Sequence, residues 1–379
     1  MSEDRVDGID GRADPAERAA AARLAAAGLA ADGPDEMGRE LAEGPAAVEA
    51  TLAAVDGAMA ALTELLVATR RTVLVGTGAS LAVARTAAPL WRVAERQHGV
   101  ERPLVVREST AAALADADGH AFEAADLVIA ISQSGTSPET GAAAGLAARA
   151  GSRLVALTAA AGSPLAGLAS LALVTPSGPE EGAATKSELS ALAALLAIPG
   201  ALSSDAPTAA MVRARLATVV ADWDAPAALG PALAAAERTW LIGLGTAAGL
   251  AGAAGLLWHE KAHRLAFPTT VSEFRHGPVE AARPGDAVLL VDVDQPLAGR
   301  RAYLDLLRAE LDRLGARLVE ISPELPDGAP GLRLPEPGAE AALQALLRLQ
   351  QLARATAHAA GAYQDGFRVL RAIVTAASV

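Results

Sequence analysis

The chain has 379 residues, 52% of them hydrophobic but only 3% aromatic, with a formal net charge of −12 and no cysteine. At roughly 150 residues per domain this length accommodates two or three cores, built here from Ala, Leu and Val. The charge argues against nucleic-acid and anionic-membrane partners, and the missing thiols exclude thiolate catalysis, Cys-ligated zinc and disulfides.

Residues 1–35 read as a partly disordered N-terminal extension holding one helix, Pro15–Ala31. The opening MSEDRVDGID lacks the apolar core of a signal peptide. The longest apolar runs, such as Thr246–Trp258, fall short of the roughly 18 residues that span a bilayer. The expected location is the cytoplasm. From Met37 onward, short apolar runs alternate with Ala-rich helical stretches. Strands are predicted over Thr72–Val75, Leu127–Ser132, Leu154–Thr158 and Leu171–Thr175. A second series covers Thr239–Ile242, Ala287–Val293 and Arg317–Ile321. Such alternation predicts an α/β fold of doubly wound parallel sheets in three αβα layers. TVLVGTGASLAVA at Thr72 and TWLIGLGTAAGLA at Thr239 share T-x-L-x-G-x-G at an offset of 167 residues. The echo predicts two tandem domains, 36–208 and 209–379, joined near Ser203–Trp223 and ending in a C-terminal tail.

Five segments carry candidate chemistry. Gly76-Thr77-Gly78-Ala79-Ser80 closes a strand and opens a helix, but it lacks the third glycine of a dinucleotide fingerprint, so no cofactor is expected. In ISQSGTSPET, Ile131–Thr140, a strand ends in Ser132-Gln133-Ser134-Gly135-Thr136-Ser137 and Pro138 starts the next helix. Four hydroxyls at a helix N-terminus, at the C-terminal end of a parallel strand, suit a phosphate monoester. GPEEGAATKSEL, Gly178–Leu189, reads as a helix start with Thr185 as its cap. LLWHEKAHRLAF then contains H-E-x-x-H, the pattern of a zinc site on one helix face, with Glu280 or His276 available as a third ligand. Against a metal stands Glu260 itself. On a predicted helix Gly249–Leu265, beside Leu256, Leu257 and Trp258, its carboxyl can have a raised pKa useful for proton transfer. His276 follows sixteen residues later, in the turn of SEFRHGP. HEKAH is read as a coincidence, and no metal is expected.

Taken in order, these segments resemble the SIS (sugar isomerase) family. The likeness runs from MGRELAEGP at Met37 through GTGAS, ISQSGTSPET and EEGAATKS to WHEKAH…SEFRHGP. It lies nearest the isomerase half of glutamine–fructose-6-phosphate aminotransferases and SIS-type glucosamine-6-phosphate deaminases. The resemblance implies two SIS-type domains and a phosphosugar substrate held by Ser132, Gln133, Ser134 and Ser137, with Thr77, Gly78 and Ser80 near the sugar. It implies that Glu260 shuttles a proton between C1 and C2. His276 would assist ring opening from a partner subunit, hence a homodimer. Two departures matter. Leu257 stands where the aminotransferases have a lysine, and VLRAIVTA, Val369–Ala376, lacks their C-terminal Schiff-base lysine. The nearest base, Arg371, stays protonated and cannot replace it. Only Lys186 and Lys261 are present in the whole chain. With no glutaminase domain and no cysteine, glutamine-dependent synthesis is excluded. The expected reaction is glucosamine 6-phosphate to fructose 6-phosphate plus ammonia. The alternatives are a fructosamine-6-phosphate deglycase or a non-catalytic sugar-phosphate sensor.

Overall fold

A computed structural model describes residues 35–115, 121–202, 214, 216, 218 and 223–369. The helix expected at Pro15–Ala31, most of the junction near Ser203–Trp223, and Arg371 lie outside the described residues. The first unit opens with helices α1 (Glu36–Gly57) and α2 (Met59–Val67), followed by β1 (Arg71–Gly76) and α3 (Ala79–Gln97). Next come β2 (Leu104–Glu108), α4 (Ser109–Ala115), β3 (Asp126–Ile131) and α5 (Pro138–Arg149). The unit closes with β4 (Arg153–Thr158), α6 (Pro164–Leu168), β5 (Leu171–Val174) and α7 (Lys186–Ala197). The second unit contains α8 (Asp224–Ala235), β6 (Arg238–Gly243), α9 (Ala247–Glu260), β7 (Leu265–Thr270) and α10 (Val271–Arg275). It continues with β8 (Ala287–Val291), α11 (Arg300–Leu314), β9 (Arg317–Ser322), β10 (Gly331–Arg333) and α12 (Ala339–Ala359).

Both sheets are wholly parallel, in the orders β2-β1-β3-β4-β5 and β10-β9-β8-β6-β7. Counted within each unit, both orders read 2-1-3-4-5, so the sequence echo marks the first strand of two copies of one topology. All seven predicted strands are present within two residues of their expected ends. The three unpredicted ones are β2, β7 and β10, all at sheet edges. Their physical signal is weak because only one neighbour covers them. β7 exposes Leu265 and Phe267 and carries Pro268, which cannot donate to a ladder and is confined to edges. The inner strands β3 and β8 are buried at every position, as strands covered on both faces must be.

Helix α9 stops at Glu260, five residues short of the predicted end. Lys261 N–H and Ala262 N–H both reach back to the Leu257 carbonyl, Arg264 N–H reaches Trp258 O, and His263 takes φ +50°. The chain must reverse within these residues to enter β7 beside β6. The two units share one continuous apolar core. At its centre lies α12, with even Gln350, Gln351 and Arg354 buried. Arg354 Nη2 donates to Asp35 Oδ2 (2.6 Å), which also meets His358 Nε2 (3.0 Å), while Asp35 Oδ1 caps α1 by accepting from Gly38 N–H (2.7 Å). Helices α3 and α9 cross so closely that a Cβ on Gly249 would lie 2.3 Å from Thr86 Oγ1. No single described helix is long and apolar enough to cross a membrane. The pair α1 and α2, bent by 61°, passes that test only jointly, and α1 lines the common core.

In each unit the chain leaves the first and third strands toward opposite faces, opening a crevice between them. The second unit fills its own. Asp294 Oδ2 accepts from Thr246 N–H (3.0 Å) at the turn after β6, and Arg300 Nε donates to Asp292 Oδ2 (3.0 Å).

Candidate functional site

The crevice of the first unit is lined by hydroxyls. Beyond Ile131 the chain turns at Gly135, whose φ of +63° lies in the left-handed region and whose Cβ position falls 2.1 Å from Ser163 Oγ. Only glycine fits there. Ser132 Oγ accepts from Gly135 N–H (3.1 Å) and lies 3.1 Å from Ser137 Oγ. Ser134 Oγ accepts from Thr136 Oγ1 (2.9 Å). Thr158 Oγ1 donates to the Gln133 carbonyl (3.1 Å), fixing the loop to β4. Ser137 makes no side-chain cap to α5 and Pro138 occupies its first turn, so the helix N-terminus faces the loop uncapped by that hydroxyl.

A narrow cavity behind the loop is lined by Ser80, Gln133, Thr158, Thr175, Ser187 and Glu188. Of the predicted sugar-binding residues, therefore, Ser80 and Gln133 line this cavity together. Thr77 turns elsewhere: its hydroxyl donates to Glu108 Oε1 (3.2 Å), beside the start of α4. Gly78, at φ +57°, lines a different cleft with Arg85 and Gly249.

Helix α7 forms the opposite wall. Thr185 stands at its N-terminus, but its side chain does not cap the helix. That task falls to the Glu180 carboxylate, which accepts from Thr185 N–H and Ser187 N–H (3.0 Å each) and from the Ser187 hydroxyl. Thr185 Oγ1 also lies 2.7 Å from Glu40 Oε2 and 2.8 Å from Glu180 Oε1. The single Thr185 hydroxyl proton is thus shared between two carboxyls, and burial pushes Glu40 up to about 7. Lys186 is buried against Glu43.

Glu260 ends α9, part-buried, and its carboxyl is raised to about 7 by burial, opposed by the charge of Lys261. It opens into a second pocket with His259, His263 and Phe367–Val369. That terminal stretch is clipped in place. Gly366 N–H donates to Glu36 Oε2 (2.8 Å), while the buried Lys261 ammonium donates to Gly366 O (3.0 Å) and Glu36 Oε1 (3.3 Å). The hydroxyl-loop cavity is also lined by a residue that sequence reasoning missed. Glu188 on α7 is 4% exposed. Burial first, then the charges of Glu260 and Glu180, raise its carboxyl to about 8 against the hydrogen bond from Gln350. Glu260 is thus within Coulombic reach of the hydroxyl-loop cavity. The available signal was a carboxylate in the first turn of the otherwise apolar KSELSALAALLA.

The zinc-site pattern does not assemble. The helix ends before His263, so the two histidines share no helical face, and Ala266 N–H already points at His259 Nε2 (3.3 Å). Among the described residues no group of three or more His, Asp or Glu is placed to hold a metal. His276 is exposed at the end of α10, a helix set by the Thr270–Glu273 capping box. It lines neither pocket, so one chain by itself does not bring His276 to Glu260.

These carboxyls predict an inverted pH dependence of stability. Glu40, Glu188 and Glu260 bind protons more tightly folded than unfolded. Their contribution is full below the ordinary carboxyl value of 4.5 and is lost as pH rises through about 7 to 8. Asp35, held far below the usual range by His358 and Arg354 despite its burial, acts oppositely in acid. Thermal unfolding should therefore occur at higher temperature at pH 5.5 than at pH 8.5. An equal or higher midpoint at pH 8.5 would show that these carboxyls ionise freely in the folded chain.

Residues 103–198 match the SIS domain family. Comparison with curated proteins finds no match. Among solved structures, the chain is similar to the C-terminal domain of glucosamine-fructose-6-phosphate aminotransferase from Francisella tularensis, at 21% identity and TM-score 0.72, covering 88% of this chain and 98% of that one. It is also similar to tagatose-6-phosphate ketose/aldose isomerase from Escherichia coli, at 24% identity and TM-score 0.70, covering 86% and 94%. A third is glucosamine-6-phosphate deaminase from Thermotoga maritima, at 21% identity and TM-score 0.63, covering 85% and 98%. At these identities the shared property is the fold, two α/β units in tandem.

Proposed function

We propose that this chain, which carries a SIS domain in the first of its two like units, is an aldose–ketose isomerase of phosphosugars. Its proposed substrate is an aminated one, glucosamine 6-phosphate, converted to fructose 6-phosphate with release of ammonia. The observation that carries the proposal is Glu260, a carboxyl poised near neutral pH within electrostatic reach of a cavity bounded by the Ser132–Ser137 loop. A base whose pKa matches the working pH is best suited to take a proton from carbon and return it to the neighbouring atom. The hydroxyls and the α5 N-terminus hold the phosphate, which makes the transfer intramolecular in effect.

Both lysines are buried and ion-paired, Lys186 with Glu43 and Lys261 with Glu36. Neither is available as a Schiff-base amine, so the imine must come from the substrate's own nitrogen, and water completes its release. The protein is proposed to act as a homodimer in the cytoplasm, with His276 of one chain completing the site of the other. That arrangement accounts for an exposed histidine that lines neither of the two pockets described.

The test is an assay of the purified protein against amino-sugar, fructosamine, aldose and ketose 6-phosphates, following ammonia and ketose phosphate. Ammonia from glucosamine 6-phosphate supports the proposal. Release of a larger amine from fructosamine 6-phosphates alone would make the protein a deglycase, and turnover of nothing in the panel would make it a sensor. Ser132→Ala and Ser134→Ala should raise KM about tenfold or more with little change in kcat. A hydrogen bond to a charged group is worth about 1.5–3 kcal/mol, and a phosphate holds on equally in ground and transition states. If both variants keep the parent KM, the loop is a turn and not an anion site.

A further inference from the structure

One oxygen in the cavity has no explained purpose. Gln350 Nε2 donates to Glu188 Oε2 (3.1 Å) and to the Thr185 carbonyl (3.0 Å), spending both amide protons. That bond fixes the Glu188 carboxyl in place. Its other oxygen, Oε1, is buried and has no hydrogen-bond partner among the described residues. A buried polar atom left unpaired is destabilising, more so if charged, so a carboxyl held in this way calls for a compensating use. Glu188 lines the cavity that also contains Ser80, Gln133 and Ser187. The groups around it come from every neighbouring element: Glu180 before α7, Glu260 from α9, Gln350 from α12 and Ser80 from α3. On α1, Glu40 is engaged with Thr185 and Glu43 with Lys186, so neither supplies a countercharge. The Glu188 carboxyl therefore has Gln350 as its hydrogen-bond partner among these groups, and the charge of Glu260 raises its proton affinity from the neighbouring pocket.

We infer that Glu188 is a second catalytic residue of this site, the general acid that works opposite Glu260 as base. The inference rests on the isomerase proposed above. In the first half-reaction Glu260 takes the proton from the substrate carbon next to the carbonyl. The C–H electron pair becomes the new C=C bond, the carbonyl π pair moves onto oxygen, and Glu188 gives its carboxyl proton to that oxygen. In the second half-reaction Glu260 returns its proton to C1 of the enaminol, the C=C pair becoming the new C–H bond while the nitrogen lone pair forms C2=N. Glu188 recovers a proton from that nitrogen and water then displaces the nitrogen as ammonia, so both carboxyls end as they began. Paired carboxyls whose surroundings push them to different proton affinities divide acid and base work in this manner. Burial keeps Glu188 protonated at neutral pH, while Lys261 favours the ionised form of Glu260.

The experiment measures kcat between pH 5.5 and 9.5 with glucosamine 6-phosphate, alongside solvent deuterium incorporation into product. The parent should lose activity on the alkaline side near pH 8. Glu188→Gln keeps shape and hydrogen bonding but has no proton to give; its kcat should fall about 10²-fold, with phosphosugar binding retained and the alkaline limb abolished. Glu188→Asp should recover the limb. An alkaline limb unchanged in Glu188→Gln, with kcat within threefold of the parent, overturns the assignment. So does a parent profile flat to pH 9.5, which needs no variant to fold. A parent that exchanges no proton with any phosphosugar overturns the isomerase reading itself, whereas normal parent turnover with an indifferent Glu188→Gln overturns only the acid.

Discussion

Replacing Glu260 by Gln is expected to lower kcat by about 10²–10⁴-fold while phosphosugar binding persists, because the amide keeps size and hydrogen bonding but cannot accept a proton. Solvent deuterium should enter product at C1 with the parent and not with the variant. The part-buried setting of this residue is what makes the loss large. A fully solvated carboxylate would titrate far below the working pH and be a weaker base, whereas burial at the end of α9 lifts Glu260 to about 7. The interface can be tested with the same protein. If His276 serves the partner's site, Glu260→Gln and His276→Ala chains, each inactive alone, should regain activity when mixed and allowed to exchange subunits. A mixed dimer then has one site with both lesions and one with neither. Retained isomerisation in Glu260→Gln would mean that another residue is the base.

Lys261→Ala should destabilise the chain by about 3–5 kcal/mol, the usual cost of removing one partner from a buried ion pair. The Lys261 ammonium is completely enclosed, donating to Glu36 and Gly366 O and lying 5.7 Å from the Tyr363 ring. Its loss leaves the Glu36 carboxylate facing the interior with Gly366 N–H as its other anchor. Removing both charges together, as Glu36→Gln with Lys261→Met, should restore much of the stability, since the penalty lies in the uncompensated charge. Activity should report separately. Lys261 opposes the burial of Glu260, so without it the Glu260 pKa rises and the acidic limb of kcat moves to higher pH. Urea unfolding that leaves Lys261→Ala as stable as the parent would show that Glu36 finds another partner.

How much of this was legible without coordinates differs by level. Strands β1, β3, β4, β6, β8 and β9 could be read because each is an apolar run buried on both faces, and the T-x-L-x-G-x-G echo placed the two units. The edge strand β5 could also be read, from its apolar run LALV, but the other edges β2, β7 and β10 could not, because edge strands need only one apolar face and tolerate a residue such as Pro268. The hydroxyl loop was legible because its glycine, serines and proline are demanded by local backbone geometry. Glu188 and Glu40 were not. Their proton affinities come from helices packed across more than a hundred residues of chain, such as Glu40 against Thr185. The end of α9 was misjudged for a related reason: HEKAH has helical composition, and only the position of β7 requires the chain to turn at Lys261.

The crevice of the second unit has a consequence of its own. Where the first unit presents hydroxyls at the switch between its first and third strands, the second presents Asp292 and Asp294. Arg300, the cation at hand, is already spent on Asp292. A phosphate approaching that crevice would meet carboxylates already seated on its N–H donors, an internal anion in place of a ligand. Two copies of one topology thus differ at the same place: the first leaves its crevice lined by hydroxyls, and the second has closed its own with a side chain, so that only the first can admit an anion from outside.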